Sequence, residues 1–181
     1  KPRDAAFVEV SQYPGTVDPY IPISATDVCA LVNNEMINDE VCNGYVSLIN
    51  GVGSAVKVVS LCTFAATGGV AGKVLHKYDV VRKTTEGDDT FHSAEIIQIP
   101  IHVPSLKHWV LAIVHNGHGK VYLYDSLHLY TKVAFKRLVV SVKKKLQEYY
   151  IAVIPDGKRN YEAYDTVCGV DCPKQDNGVD C

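Results

Sequence analysis

The tightest constraint on the fold lies between residues 96 and 124. Two apolar runs of strand length, Ile96 to Val103 and Trp109 to His115, precede the turn residues Asn116-Gly117-His118-Gly119, and a third run, Val121 to Tyr124, follows them. Short runs rich in Ile and Val and bounded by turn residues form strands, and the glycine-containing turn folds the last two into a hairpin. Strand ends face one another across a hairpin, so His108, at the start of one strand, and Asp125, at the end of the next, lie side by side. His102, His115 and His118 are the other histidines of the region; the last two flank the turn, far from Asp125, and His108 is the better partner.

Around this sheet the chain supplies helices and further strands. Ser24, with Asp27 three residues on, predicts the start of a short helix running through Val28-Cys29-Ala30-Leu31-Val32. Asn38 or Asp39 caps a second helix whose Val41, Tyr45, Leu48 and Ile49 share one face, and Asn50-Gly51 ends it. Val56 to Phe64 reads as a strand or buried segment, Gly68-Gly69 and Gly72 as a loop before Val74 to Arg82, and Lys83 to Asp89 as a polar, solvated loop. Thr131 to Tyr150 predicts a long helix with Ala134, Leu138, Val142 and Leu146 in step and its lysines on a solvated face. Ile151-Ala152-Val153-Ile154 reads as a short buried strand, Pro155-Asp156-Gly157 as a turn, and Lys158 to Asp171 as irregular. Lys1 to Ile23, with four prolines, is an extended lead-in. The expected fold class is α+β, a mixed or antiparallel central sheet flanked by helices, in one domain from Ser24 to Cys181.

Composition narrows the partners. With 181 residues, 47% of them hydrophobic, the chain can bury one core without staples. A formal charge of −2 gives neither nucleic acid nor an anionic membrane an electrostatic reason to bind, and a protein partner fits better. No apolar run reaches bilayer length, and none stands behind the opening Lys1-Pro2-Arg3-Asp4 as a secretion signal would require. The six cysteines are therefore expected as thiols, with Cys29, Cys42 and Cys62 as small buried hydrophobes. Cys168, Cys172 and Cys181 lack the paired short spacings of a structural zinc module, so no metal and no cofactor is expected.

What the chain does carry is the set of parts for nucleophilic catalysis. Its final stretch, Pro173-Lys174-Gln175-Asp176-Asn177-Gly178-Val179-Asp180-Cys181, brings a thiol and, six residues earlier, an amide. A thiol is only slightly ionised at neutral pH, so it needs an imidazole beside it and a third group to hold that imidazole in one tautomer. Acyl transfer also needs donors where the tetrahedral oxyanion develops. Cys181, His108, Asp125 and Gln175 can fill these roles in that order.

The order His108-Trp109, then Tyr124-Asp125-Ser126-Leu127, then Gln-x-Asn-x-x-Asp-Cys from Gln175 to Cys181 resembles the Ulp1/SENP family of SUMO-deconjugating cysteine proteases. Upstream, Met36-Ile37-Asn38-Asp39-Glu40-Val41-Cys42-Asn43-Gly44-Tyr45 is similar to that family's Trp-Leu-Asn-Asp-x-x-Ile-x-x-Tyr segment. The resemblance implies a papain-like fold of the Ulp1 type. It also implies hydrolysis, through a thioester, of a peptide or isopeptide bond after the C-terminal glycine of a ubiquitin-like modifier. SUMO comes first, with NEDD8 or ubiquitin as other possible partners, and residence is nuclear or cytoplasmic. It makes Cys181 the nucleophile, His108 the base and later the acid, Asp125 the orienter and Gln175 the oxyanion donor. Trp109 covers the glycine tail, and the segment bearing Met36, Asn38 and Asp39 lines the substrate path. Met36 stands where the family has a tunnel Trp, which implies a wider passage unless Met36 only fills a gap in the core. In the family a glycine and a helix follow the nucleophile. With Cys181 as last residue, its carboxylate would raise the thiol's pKa, and a feeble enzyme or a non-cleaving module that binds a ubiquitin-like protein is the alternative expectation.

Overall fold

The computed structural model describes residues 8–9, 20–21, 24–33, 35–39, 41–42, 45, 58–60, 64–65, 94–103, 106–128, 132–153 and 156–176. Its elements are β1 (Val8–Glu9), β2 (Tyr20–Ile21), α1 (Ala25–Val32), β3 (Val58–Ser60), β4 (Phe64–Ala65), β5 (Ile96–Val103), β6 (His108–His115), β7 (Lys120–Tyr124), α2 (Lys132–Val153) and β8 (Asp165–Val167). β1 and β2 form an antiparallel pair within the lead-in. The other six strands make one mixed sheet: β3 and β4 run parallel to β5, β5–β6–β7 is an antiparallel meander, and β8 lies parallel to β7. The α+β expectation and the three central strands therefore stand as predicted.

One face of the meander makes the core. Its register sets Ile97 beside Val114, Ile99 beside Ala112 and Ile101 beside Val110, and then Val114 beside Val121 and Ala112 beside Leu123. All of these are buried, and α2 lays Val139, Val142, Leu146 and Tyr150 against them. Each large aliphatic side chain so buried contributes roughly 1.5–3 kcal/mol. The turn closing β6 onto β7 is a single 3-10 turn, Asn116–His118, after which Gly119 takes a left-handed φ of 61°. That conformation is open to glycine and strained for most side chains. Asn116 anchors the turn, its main-chain N–H donating to the Glu95 carbonyl and its amide to the Ala94 carbonyl. His115 and His118 stack at this far end with ring centroids 3.6 Å apart.

α1 begins as expected, with a capping box in which Ser24 and Asp27 satisfy each other's main-chain N–H. Three expectations need correction. Ile151 to Val153 are not a strand but the last turn of α2, with Ile151 half exposed. Extending an existing helix adds one hydrogen bond per residue, and this outweighs the β preference of a short Ile/Val run. Within the stretch read as irregular, Asp165–Val167 forms β8, an edge strand whose first two residues are exposed, so no apolar alternation announced it. Cys29 is exposed rather than buried. In the second helical stretch, residues 39, 41, 42 and 45 are helical, with Val41 half-buried and Tyr45 exposed. Leu48, Ile49, Cys62, Gly68 to Arg82 and Lys83 to Asp89 lie outside the described residues.

The C-terminal half of α2 clamps the segment that leads into β8. Gln147 accepts from the Tyr161 N–H at 2.6 Å and donates to the Arg159 carbonyl at 3.2 Å, while the Lys143 ammonium donates to the Tyr164 carbonyl at 2.7 Å. Tyr150 meets Tyr161 edge to face with centroids 5.4 Å apart. Gly157 crosses directly over the phenol end of Tyr150, where a Cβ would come within 2.5 Å of two ring carbons and the hydroxyl oxygen, so the close approach requires glycine. Burial pushes the Tyr161 phenol up from 10.0 to about 12, the Arg159 charge opposing it in part. Between those two values the unfolded chain releases this proton while the folded chain keeps it, so stability falls as pH rises. Denaturant melts taken at intervals from pH 9 to 12 should show that decline, and Tyr161→Phe should make it shallower; an equally steep decline in the variant would place its cause elsewhere.

Candidate active site

The meander builds a hydrogen-bonded imidazole–carboxylate pair at one end of the sheet. Leu111 pairs with Tyr124, so the next residue, Asp125, stands across from Val110, and His108 lies two residues farther along on the same face. His108 Nε2–H donates to Asp125 Oδ1 at 2.6 Å, and both residues are buried, at 0% and 3% exposure. Low dielectric strengthens such a bond and holds the ring in one tautomer. Nδ1, the other ring nitrogen, is buried and has no hydrogen-bond partner among the described residues. It is the atom left to take a proton.

Asp125 is fixed from its own turn. Its Oδ1 also accepts from the Leu127 N–H at 3.0 Å, and its carbonyl accepts from the His128 N–H at 3.1 Å. His128 closes the turn at a left-handed φ of 52°, and Lys107 enters β6 at 48°; both are non-glycine residues in a conformation that costs energy and must be held by the surroundings. The Cys172 thiol donates to the Asp125 carbonyl at 3.4 Å, with His128 Nε2 3.7 Å from the sulfur. The chain then draws Gln175 in: its N–H donates to the Ser126 carbonyl at 2.9 Å and its Oε1 accepts from the Ser126 hydroxyl. Gln175 is thus held against Ser126, the residue after Asp125 in the chain, with its amide oxygen oriented by the Ser126 hydroxyl. Cys181 lies outside the described residues.

Trp109 is nearly buried and faces away from α2. Its indole N–H donates to the Ile37 carbonyl at 3.1 Å, which joins β6 to the Met36–Asp39 segment. Asn38 holds that segment in turn. Its amide N–H donates to Asp27, and its carbonyl oxygen accepts from the Val41 N–H at 3.0 Å, which caps the following helical residues. Both ends of its amide are engaged within the protein, Asp39 is exposed, and Met36 is half-buried. A pocket of about 350 Å³ lies on this side, lined among others by Trp109, Leu111, Tyr124, Ser126 and Cys172. Asp27, Ser126 and the Ile37 carbonyl were not among the predicted site residues. Ser126 was legible only as part of the Tyr-Asp-Ser-Leu motif, and Asp27 only as a cap. Among the described residues no three His, Cys, Asp or Glu side chains cluster as metal ligands, and no helix is long and apolar enough to cross a membrane.

Residues 72–181 match the model of the Ulp1 protease family, C-terminal catalytic domain. A Sentrin-specific protease of Caenorhabditis elegans is 29% identical over 89% of the chain, which spans 22% of that protein. A second protein, from Arabidopsis thaliana and named as a ubiquitin-like-specific protease, is 30% identical over 89% of the chain, which spans 48% of it. In structure, the fold superposes with a TM-score of 0.69 on the C-terminal Ulp1 protease domain crystallised with Smt3, the yeast ortholog of SUMO, at 20% identity and covering 99% of this chain and 72% of that one. The shared fold is papain-like, and with more than half of its residues under that family's model the chain belongs to the Ulp1 protease family.

Proposed function

We propose that the protein cleaves the peptide or isopeptide bond that follows the C-terminal glycine of a ubiquitin-like modifier, SUMO first. The observation that carries this reading is the buried His108–Asp125 bond, with His108 Nδ1 left without a partner among the described residues. An imidazole held in that tautomer presents a lone pair, and a thiol is what it can activate. Cys181 supplies the thiol. In this mechanism its proton passes to His108 Nδ1, the thiolate adds to the glycine carbonyl, and the oxyanion is met by the Gln175 amide together with a main-chain N–H. Collapse forms a thioester and expels the amine, which takes the proton back from His108; water activated by the same imidazole then releases the modifier. Trp109 covers the glycine tail, with Met36 as the softer opposing wall. Asn38 acts on substrate indirectly, by holding the Met36–Asp39 segment against Asp27.

The names of the relatives support SUMO as the modifier, since they include a Sentrin-specific protease and a domain crystallised with Smt3. The test is a panel of SUMO, NEDD8 and ubiquitin, each with a C-terminal electrophile, read by intact mass. A single adduct with SUMO, mapped to Cys181 and lost in Cys181→Ala, is expected. Cys168, whose thiol burial pushes up, should stay unlabelled. Adducts on Cys168 or Cys172, or none with any member, would overturn the reading in favour of a module that binds without cleaving.

A further inference from the structure

We propose that His102 is a positioning residue that sets the tilt of the Trp109 ring and so tunes how closely the enzyme grips its substrate's tail. The inference rests on Trp109 as the cover of that tail. In the sheet His102 and Trp109 are direct cross-strand partners, so their side chains project from the same face, the one away from α2. Their ring centroids are 4.8 Å apart, at an interplanar angle of 33°. Among the described residues the indole's hydrogen bond is the one from Nε1–H to the Ile37 carbonyl, at the edge of the ring. A bond at the ring's edge fixes where the indole lies more than how its plane is tilted, and the imidazole beside it bears on the tilt. His102 can do this because its own main chain is paired on both sides, with Trp109 in β6 and with Ala65 in β4. On the sheet face opposite the His108–Asp125 pair it takes no part in proton transfer, so its influence falls on binding.

Aromatic pairs of this kind shift equilibria by about three- to tenfold. Trp109 is the protein's one tryptophan, which makes intrinsic fluorescence a direct report on this ring. The experiment compares wild type, His102→Leu and His102→Phe. In the free proteins, acrylamide quenching of Trp109 should rise in the Leu variant and return to the wild-type value in the Phe variant, which restores a flat ring. With a fluorogenic amide of the SUMO tail, the Leu variant should raise KM about three- to tenfold with kcat within about twofold, and Phe should restore KM. Far-ultraviolet circular dichroism confirms that the variants are folded. Unchanged quenching in the Leu variant, a fall in kcat at constant KM, or a Phe variant as impaired as Leu would each overturn the proposal. If wild type turns over no SUMO substrate, the proposed function fails, and quenching in the free proteins still decides whether His102 orients the ring.

Discussion

His108→Gln is expected to lower kcat/KM on a glycine-tailed SUMO substrate by on the order of 10²- to 10⁴-fold, the range general acid–base groups contribute. The same change should cost the fold only about 1 kcal/mol. The separation follows from the geometry. A glutamine amide can still donate an N–H toward Asp125 Oδ1, so the buried carboxylate, 3% exposed and bonded to His108 at 2.6 Å, keeps a partner. What glutamine cannot do is accept a proton at the position of Nδ1 and return it. Paired measurements of turnover and of urea unfolding check both halves. A loss of less than tenfold would mean that another group serves as base, and a loss of several kcal/mol would mean that the imidazole is chiefly a packing element.

The second large effect concerns stability. Tyr150→Ala should destabilise the protein by about 3–5 kcal/mol, as truncating a fully buried aromatic does. The side chain is 0% exposed, meets Tyr161 edge to face, accepts from the Arg159 N–H at 3.4 Å, and lies beneath Gly157. Its loss opens a cavity where α2 clamps the chain before β8, and β8 leads on to Gln175. The melting temperature should therefore fall by about 6–20 °C for a chain of this length. Val140→Ala on the exposed side of the same helix, where Val140 is 59% exposed, should move stability by no more than about 0.5 kcal/mol. Equal effects from the two would show that α2 does not pack as described.

The pairing of His108 with Asp125 was legible because it depends only on local register. Apolar runs and a glycine turn fix the register of β6 against β7, and that register alone brings His108 to Asp125. The capping box at Ser24 and Asp27 was legible for the same reason, as contacts within four residues follow from residue type. What escaped depends on distant partners. β8 has no pattern of its own and exists because β7 offers an edge. The end of α2 was misread because Ile151 to Val153 favour strand in isolation and helix as a continuation. The bond from the Asn38 amide to Asp27, eleven residues earlier, likewise had no sign in the sequence. The grip of Ser126 on Gln175 and of His102 on Trp109 required knowing which strands are neighbours.

The two halves of the site also differ in when the ribosome delivers them. His108 and Asp125 are seventeen residues apart within one antiparallel meander, whereas Gln175 reaches Ser126 across forty-nine residues that include all of α2 and the parallel strand β8. At a synthesis rate of roughly 5–20 residues per second, several seconds separate the two deliveries, and the longer loop must close before its contacts repay it. A growing chain therefore has its imidazole–carboxylate pair well before the amide and the thiol proposed to complete the site. Activity on this scheme is gated by topology: a nascent chain surrounded by other unfinished chains carries no assembled nucleophile until the segment beyond β8 has been made.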